Sequence, residues 1–172
     1  QSVITIKNDD NAPKVSFLES EKTASEGTSN VVFEIVLEGE TELDTNFDIT
    51  ATDQSTESND YALPADLSFI IPAGSSSTSF TISALSDAFD EFDERLLLTI
   101  ANPVNATLGS VSSSILTITD TNDIPALVIA DDALSVVEGG NVSINYSLNN
   151  PSEKPIAFSY TTSATNQTAV AG

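Results

Sequence analysis

Apolar residues in this chain recur with a period of two, and that limits the folds open to it. Val31, Phe33, Ile35 and Leu37 alternate with Val32, Glu34 and Val36, and Phe47, Ile49 and Ala51 alternate with Asp48, Thr50 and Thr52. Leu67, Phe69 and Ile71 continue the pattern, as do Phe80, Ile82 and Ala84, then Leu96, Leu98 and Ile100, then Leu116 and Ile118. Each run is β-branched or aromatic and is bounded by Gly, Pro, Asn, Asp or Ser, so each reads as a strand. With Val15–Phe17 they give about seven strands in roughly 110 residues, the pattern of an all-β, Ig-like antiparallel β-sandwich. No stretch has helical periodicity; Asp87–Glu94 reads as an acidic loop.

A second regularity is longer. Ile4-Thr5-Ile6, Pro13 and Glu26-Gly27 recur 112 residues later as Leu116-Thr117-Ile118, Pro125 and Glu138-Gly139. That spacing is the size of a domain rather than of a solenoid repeat. The expected organisation is a tandem array: residues 1–10 as the last strand of a preceding repeat, 14–124 as one complete repeat, and 126–172 as the opening of the next. In that last segment Val142, Ile144, Tyr146 and Leu148 follow Val31, Phe33, Ile35 and Leu37 by 111 residues, one having been lost after the Glu-Gly. Half a sandwich leaves an apolar face and open edges, so the natural chain is expected to continue beyond 172.

Composition narrows the chemistry. There are 26 Asp and Glu against 5 Lys and Arg, a formal net charge of −21, with no His and no Cys. Nucleic acid and anionic membrane surfaces are poor partners for such a chain. Most zinc sites, and catalysis by Cys–His or Ser–His–Asp, are excluded. Without disulfides, stability must come from packing or from a hard metal ion. No apolar run approaches the length that inserts directly into a membrane, about 18 residues.

The carboxylates concentrate between strands. Glu26 precedes the Val31 strand, Asp53 follows the Phe47 strand, Asp87, Asp90, Glu91, Asp93 and Glu94 crowd the loop after the Phe80 strand, and Asp120 and Asp123 follow the last strand. Turns of an antiparallel sandwich alternate between its ends, so these four segments can meet at one end. Such a cluster either stays open and solvated or binds cations. Ca²⁺ suits it, taking six to eight oxygen ligands in flexible geometry, whereas Mg²⁺ demands a tighter octahedron.

Over about Val15 to Asp123 the sequence resembles a Calx-beta domain. The resemblance rests on Ser25-Glu26-Gly27, on Asn59-Asp60-Tyr61 with Leu67-Ser68-Phe69 and Pro72-Ala73-Gly74, and on the loop from Asp87 to Glu94. Asn102-Pro103 with Leu108-Gly109, and Leu116-Thr117-Ile118-Thr119-Asp120, complete it. It implies Ca²⁺ at one end of the sandwich. Glu26, Asp53, Asp87, Glu91 and Glu94 match side-chain ligands, Phe89 a carbonyl ligand, and Asp120, Asn122 and Asp123 the terminal Asp cluster. Ser86 stands where an Asp is usual, and 120–123 is spread wider than the usual run; both lower the site's charge and point to one or two ions. Asp90 and Asp93 are expected to face solvent. Residues 126–172 keep Glu138 but have only Ser163-Ala164-Thr165-Asn166 near the position of Asp53, while Asp9 and Asp10 fall to the preceding repeat.

Tyr61 reads as a packing tyrosine. The sequons at Asn105, Asn141, Asn145 and Asn166 carry no argument without the host. The reading is a non-enzymatic, calcium-stabilised structural or adhesive repeat of an extracellular, cell-surface protein of bacterial type. Its partners would be neighbouring repeats of the same chain and a surface or cell ligand, and calcium would stiffen the junctions. A regulatory calcium sensor of the sodium–calcium exchanger kind, or an accessory module of an exported enzyme, are the alternatives.

Overall fold

The computed structural model describes residues 2–5, 7, 11–39, 41–130 and 134–162. The residues noted above at 9, 10 and 163–168 lie outside that set. Twelve strands order the described chain: β1 (Lys14–Phe17), β2 (Glu21–Ser25), β3 (Val31–Glu38), β4 (Thr45–Asp53), β5 (Tyr61–Ala62), β6 (Ser68–Ile71), β7 (Ser77–Ala84), β8 (Glu94–Val104), β9 (Thr107–Leu108), β10 (Ser113–Thr119), β11 (Leu127–Ile129) and β12 (Tyr146–Leu148). The first ten form two five-stranded sheets, β5-β7-β3-β1-β9 and β2-β10-β8-β4-β6. Among the described residues there is no helix, and so none that could cross a membrane.

Alternation becomes a core directly. Val31, Phe33, Ile35 and Leu37 of β3 are buried and meet Leu96, Leu98 and Ile100 of β8 and Leu116 and Ile118 of β10 in one cluster, while Val32 and Glu34 face out. Five phenylalanines run through it. Phe17 meets Phe33 edge-on at 6.3 Å, Phe33 stacks on Phe80 at 5.5 Å, Phe80 on Phe69 at 5.0 Å, and Phe69 on Phe47 at 5.9 Å. The Phe80–Phe69 pair joins the two sheets, and such ring pairs add to simple area burial.

The strand count exceeds the seven read from sequence, and two pairings are parallel: β1 with β9 and β2 with β10. The first strand is split. After Phe17 the chain leaves one sheet and joins the other as β2, whose Glu21–Ser25 contains no large apolar residue and is held by ladder bonds along β10. Splitting gives β3 and β10 each a partner on a side that would otherwise offer unpaired backbone groups, with β2 remaining an edge strand.

Beyond Pro125 the chain forms the two-stranded sheet β11–β12, pairing Leu127 with Leu148, Val128 with Ser147 and Ile129 with Tyr146. β1 and β3 pair Val15 with Leu37, Ser16 with Val36 and Phe17 with Ile35. Each β11 residue stands 112 positions after its β1 counterpart and each β12 residue 111 after its β3 counterpart, so the register absorbs the lost residue. Residues 2–5, read as part of a strand, form none, and Val3 and Ile4 are exposed. A strand with no neighbour has no ladder to hold it.

Candidate metal centre

Strand register decides which loops meet. Ser25 at the end of β2 lies beside Thr119 at the end of β10, and Glu94 at the start of β8 opposes Ile118. Tyr61 at the start of β5 opposes Ala84 at the end of β7, and Asp53 at the end of β4 opposes Leu96. Glu26, the 54–60 loop, the 85–93 loop and 120–123 therefore share one end of the sandwich.

Local chemistry then aims the side chains. Gly27 has φ 75°, a left-handed conformation that costs glycine nothing, and turns the chain back so that Thr28 N–H donates to the Ser25 carbonyl at 3.2 Å. Glu26 N–H donates to Thr119 O at 3.1 Å, which fixes the turn to β10. Asp120 accepts from Glu91 N–H at 3.0 Å and Asn122 N–H at 2.8 Å. Asp87 accepts from Phe89 N–H at 2.8 Å, and the Asn122 amide donates to the Asp87 carbonyl at 3.3 Å. The segment after the last strand is thus tied to the acidic loop.

Two overlapping carboxylate groups result. Glu26, Asp87 and Glu91 have oxygens within 4.8 Å of one another, as do Asp60, Glu91 and Glu94. All five line one pocket together with Asp120, and Glu91 belongs to both groups although only 8% exposed. Among the described residues no Lys or Arg pairs with any of the five. Burial, then the negative charges of Asp87, Glu153 and Asp60, pushes Glu91 up to about 7. Burial and the hydrogen bond and charge of Asp60 push Glu94 up to about 8. Glu26 is raised by burial, then by Asp120 and Asp87. Oxygen-only donors, crowded and short of counter-charge, fit a hard divalent cation.

Glu26, Asp87, Glu91, Glu94 and Asp120, read as ligands from the sequence, come together here. Asp53, Phe89, Asn122 and Asp123 do not line the pocket. Asp53 accepts instead from Tyr61 Oη at 2.7 Å and Thr56 Oγ1 at 2.9 Å, and burial with that bond pushes the Tyr61 phenol up to about 12. Phe89 is exposed, and the Asp123 carbonyl accepts from the Asn150 amide at 3.4 Å. Asp93 is exposed as expected, but Asp90 is buried. Asp60 was missed. It is buried, accepts from Glu57 N–H, and faces Glu91 and Glu94. Its signal was an acidic residue inside the Asn59-Asp60-Tyr61 motif, read there only as family pattern.

The ten-stranded body has a Calx-beta-like fold. No family model matches the chain, and no curated protein does. Solved structures do. One described as the apo-form Calx CBD1 domain matches at TM-score 0.58 and 17% identity, covering 65% of this chain and 100% of that one. CBD12 from CALX1.2 matches at TM-score 0.60 and 17% identity, covering 69% and 48% respectively. The calcium binding domain CBD12 of CALX1.1 matches at TM-score 0.58 and 17% identity, covering 74% and 54%. The chain thus spans about half the length of the two CBD12 structures. At this identity the likeness is one of fold, and it is the fold the Calx-beta resemblance implied.

Proposed function

We propose that the chain is a non-enzymatic, calcium-stabilised repeat of an extracellular surface protein, in which Ca²⁺ stiffens the junction between successive repeats. The observation that carries this is the pair of carboxylate groups sharing Glu91, drawn from separate loops at the end where the chain leaves the sandwich. Glu26, Asp60, Asp87, Glu91, Glu94 and Asp120 would hold the ion. When bound it would supply positive charge to carboxylates of which, among the described residues, Asp120 alone has a cationic partner, Lys154. Glu91 and Asp120 connect the body of the fold to the 120–123 segment through the Glu91 amide, so ordering one orders the other. The β11–β12 register, which repeats that of β1–β3, supports reading 126–172 as the next repeat.

The test is thermal melting of the chain in chelator and across a calcium titration. Extracellular modules bind at about 10⁻⁴–10⁻³ M, so the midpoint is expected in that range, and magnesium should be weaker. An unchanged melting curve would leave only a solvated acidic surface. The fold shared with a structure named as a calcium binding domain favours a second reading, a regulatory sensor. A sensor would respond at about 10⁻⁷–10⁻⁵ M and would shift the mean distance between repeats rather than only narrow its spread.

A further inference from the structure

Asp90 is 1% exposed, although its sequence surroundings are those of a solvated loop. A buried carboxylate needs a partner, and this one finds it across the junction. Lys154 Nζ donates to Asp90 Oδ1 at 2.6 Å and to Asp120 Oδ2 at 3.4 Å, and lies 5.3 Å from the centre of the Phe92 ring. Ser152 Oγ donates to Asp90 Oδ2 at 2.9 Å. The backbones also join: Asp90 N–H donates to Pro151 O at 3.2 Å and Glu153 N–H to Asp90 O at 3.1 Å, forming a parallel bridge between Asp90 and Ser152.

We infer that Asp90, Phe92 and Asp120 form a docking surface for the Pro151–Lys154 loop of the following repeat, and that this latch orients the junction before any metal binds, calcium then stiffening it further. The inference rests on reading 126–172 as the next repeat, but not on calcium. Lys154 is the one basic residue after Pro125, in a chain with only 5 in all. A charge-assisted hydrogen bond at a nearly buried carboxylate, with two backbone bonds beside it, specifies an orientation more than it adds stability.

The repeat makes the latch directional. Asn149–Lys154 aligns, 111 residues back, with Glu38–Leu43, so Lys154 is replaced by Leu43 and the loop carries Glu38, Glu40 and Glu42. That loop has no cation to offer an acidic end. The junction after residue 124 is therefore lysine-latched and the junction before residue 14 is not, so neighbouring joints in the array differ in stiffness and in their dependence on metal.

The chain has no Cys, so Ser79→Cys at an exposed position of β7 and Ser147→Cys at an exposed position of β12 can carry spin labels without interference. Distances between them are measured in chelator by pulsed electron resonance. The expected result is a single narrow distribution, lost in Lys154→Gln and in Asp90→Asn and kept in Lys154→Arg, with circular dichroism melting showing the β1–β10 body still folded in all three. Distributions for Lys154→Gln and Asp90→Asn that match the parent would overturn the latch, as would a broad distribution in the parent itself. Because calcium is absent throughout, these outcomes are independent of whether the calcium titration succeeds.

Discussion

Neutralising Glu91 should stabilise the calcium-free chain and weaken its response to calcium. At the 4.8 Å that bounds each carboxylate group, two full charges repel by roughly 3.5 kcal/mol at an effective dielectric of about 20 and by roughly 1 kcal/mol in water. Glu91 faces such neighbours in both groups and is too buried for water to screen it fully. Side chains can swing apart, so the net gain from Glu91→Gln in chelator is about 1–3 kcal/mol. For a domain of roughly 110 residues, each kcal/mol moves Tm by about 4 °C, so the variant should melt some 4–12 °C higher, roughly, in chelator.

In calcium the order changes. A site with Kd of about 10⁻⁴–10⁻³ M stabilises the parent by about 1.4–2.7 kcal/mol at ~10 mM Ca²⁺. Glu91→Gln keeps one neutral carbonyl oxygen but loses the negative charge of the residue shared by both groups, so it should gain much less. Far-UV circular dichroism melts of both proteins, in chelator and in calcium, therefore give a large positive calcium shift for the parent and a small one for the variant. A variant that melts lower than the parent in chelator, with the same calcium shift, would refute the reasoning: the repulsion would be absent and the ion would sit elsewhere.

Three further outcomes follow from the body of the fold. Phe33→Ala removes the ring lying between Phe17 and Phe80 and should cost about 3–5 kcal/mol in urea unfolding. Thr45 Oγ1 is buried without a partner, so Thr45→Val should leave stability unchanged or raise it by about 1 kcal/mol in the same assay. Asp48 accepts from the Asn102 amide at 2.8 Å and Ser68 Oγ at 2.7 Å, which hold its carboxyl below the usual range. A depressed carboxylate stabilises above its unfolded pKa, about 3.9, and that contribution fades as pH falls through the lower folded value. Urea midpoints of the parent and Asp48→Asn should therefore converge as pH drops from about 5 toward 2.

The strands that were legible are those whose inward residues are large. β3 and β8 announce themselves through Phe33, Ile35, Leu96 and Leu98, because burying one face of a strand requires alternation. β2 was illegible because Glu21–Ser25 is held by backbone pairing at an edge, where side chains carry little information. β5 and β9 have two residues each, too few for any period. In the site, Glu26, Asp87, Glu91, Glu94 and Asp120 could be placed at one end by counting turns. Asp53 could have been set aside, since Thr56 and Tyr61, the groups that take its carboxylate, lie three and eight residues away. Asp90 could not be read correctly from its own loop. What buries it is Ser152 and Lys154, 62 and 64 residues further on, and no local pattern points there.

Asp120 is where the two features of this end of the molecule meet. Its Oδ2 accepts from the Glu91 backbone N–H at 3.0 Å and the Lys154 ammonium at 3.4 Å, and its Oδ1 accepts from the Asn122 backbone N–H at 2.8 Å. On one side lie the carboxylates of Glu26, Asp87 and Glu91, with no cation of their own; on the other lies the Asp90–Lys154 pair. Moving the segment after β10 away from the sandwich would break the Glu91 bond and the lysine contact together. Any cation drawn to the carboxylate group and any loop docked on Asp90 therefore act on the same few residues of backbone, 120–123, just before Pro125 restricts the chain further. The 120–123 segment is thus held both by the sandwich and by the chain that follows it. Its charge is arranged to match: the acidic end takes the one lysine that segment carries, and leaves the remaining carboxylates facing one another.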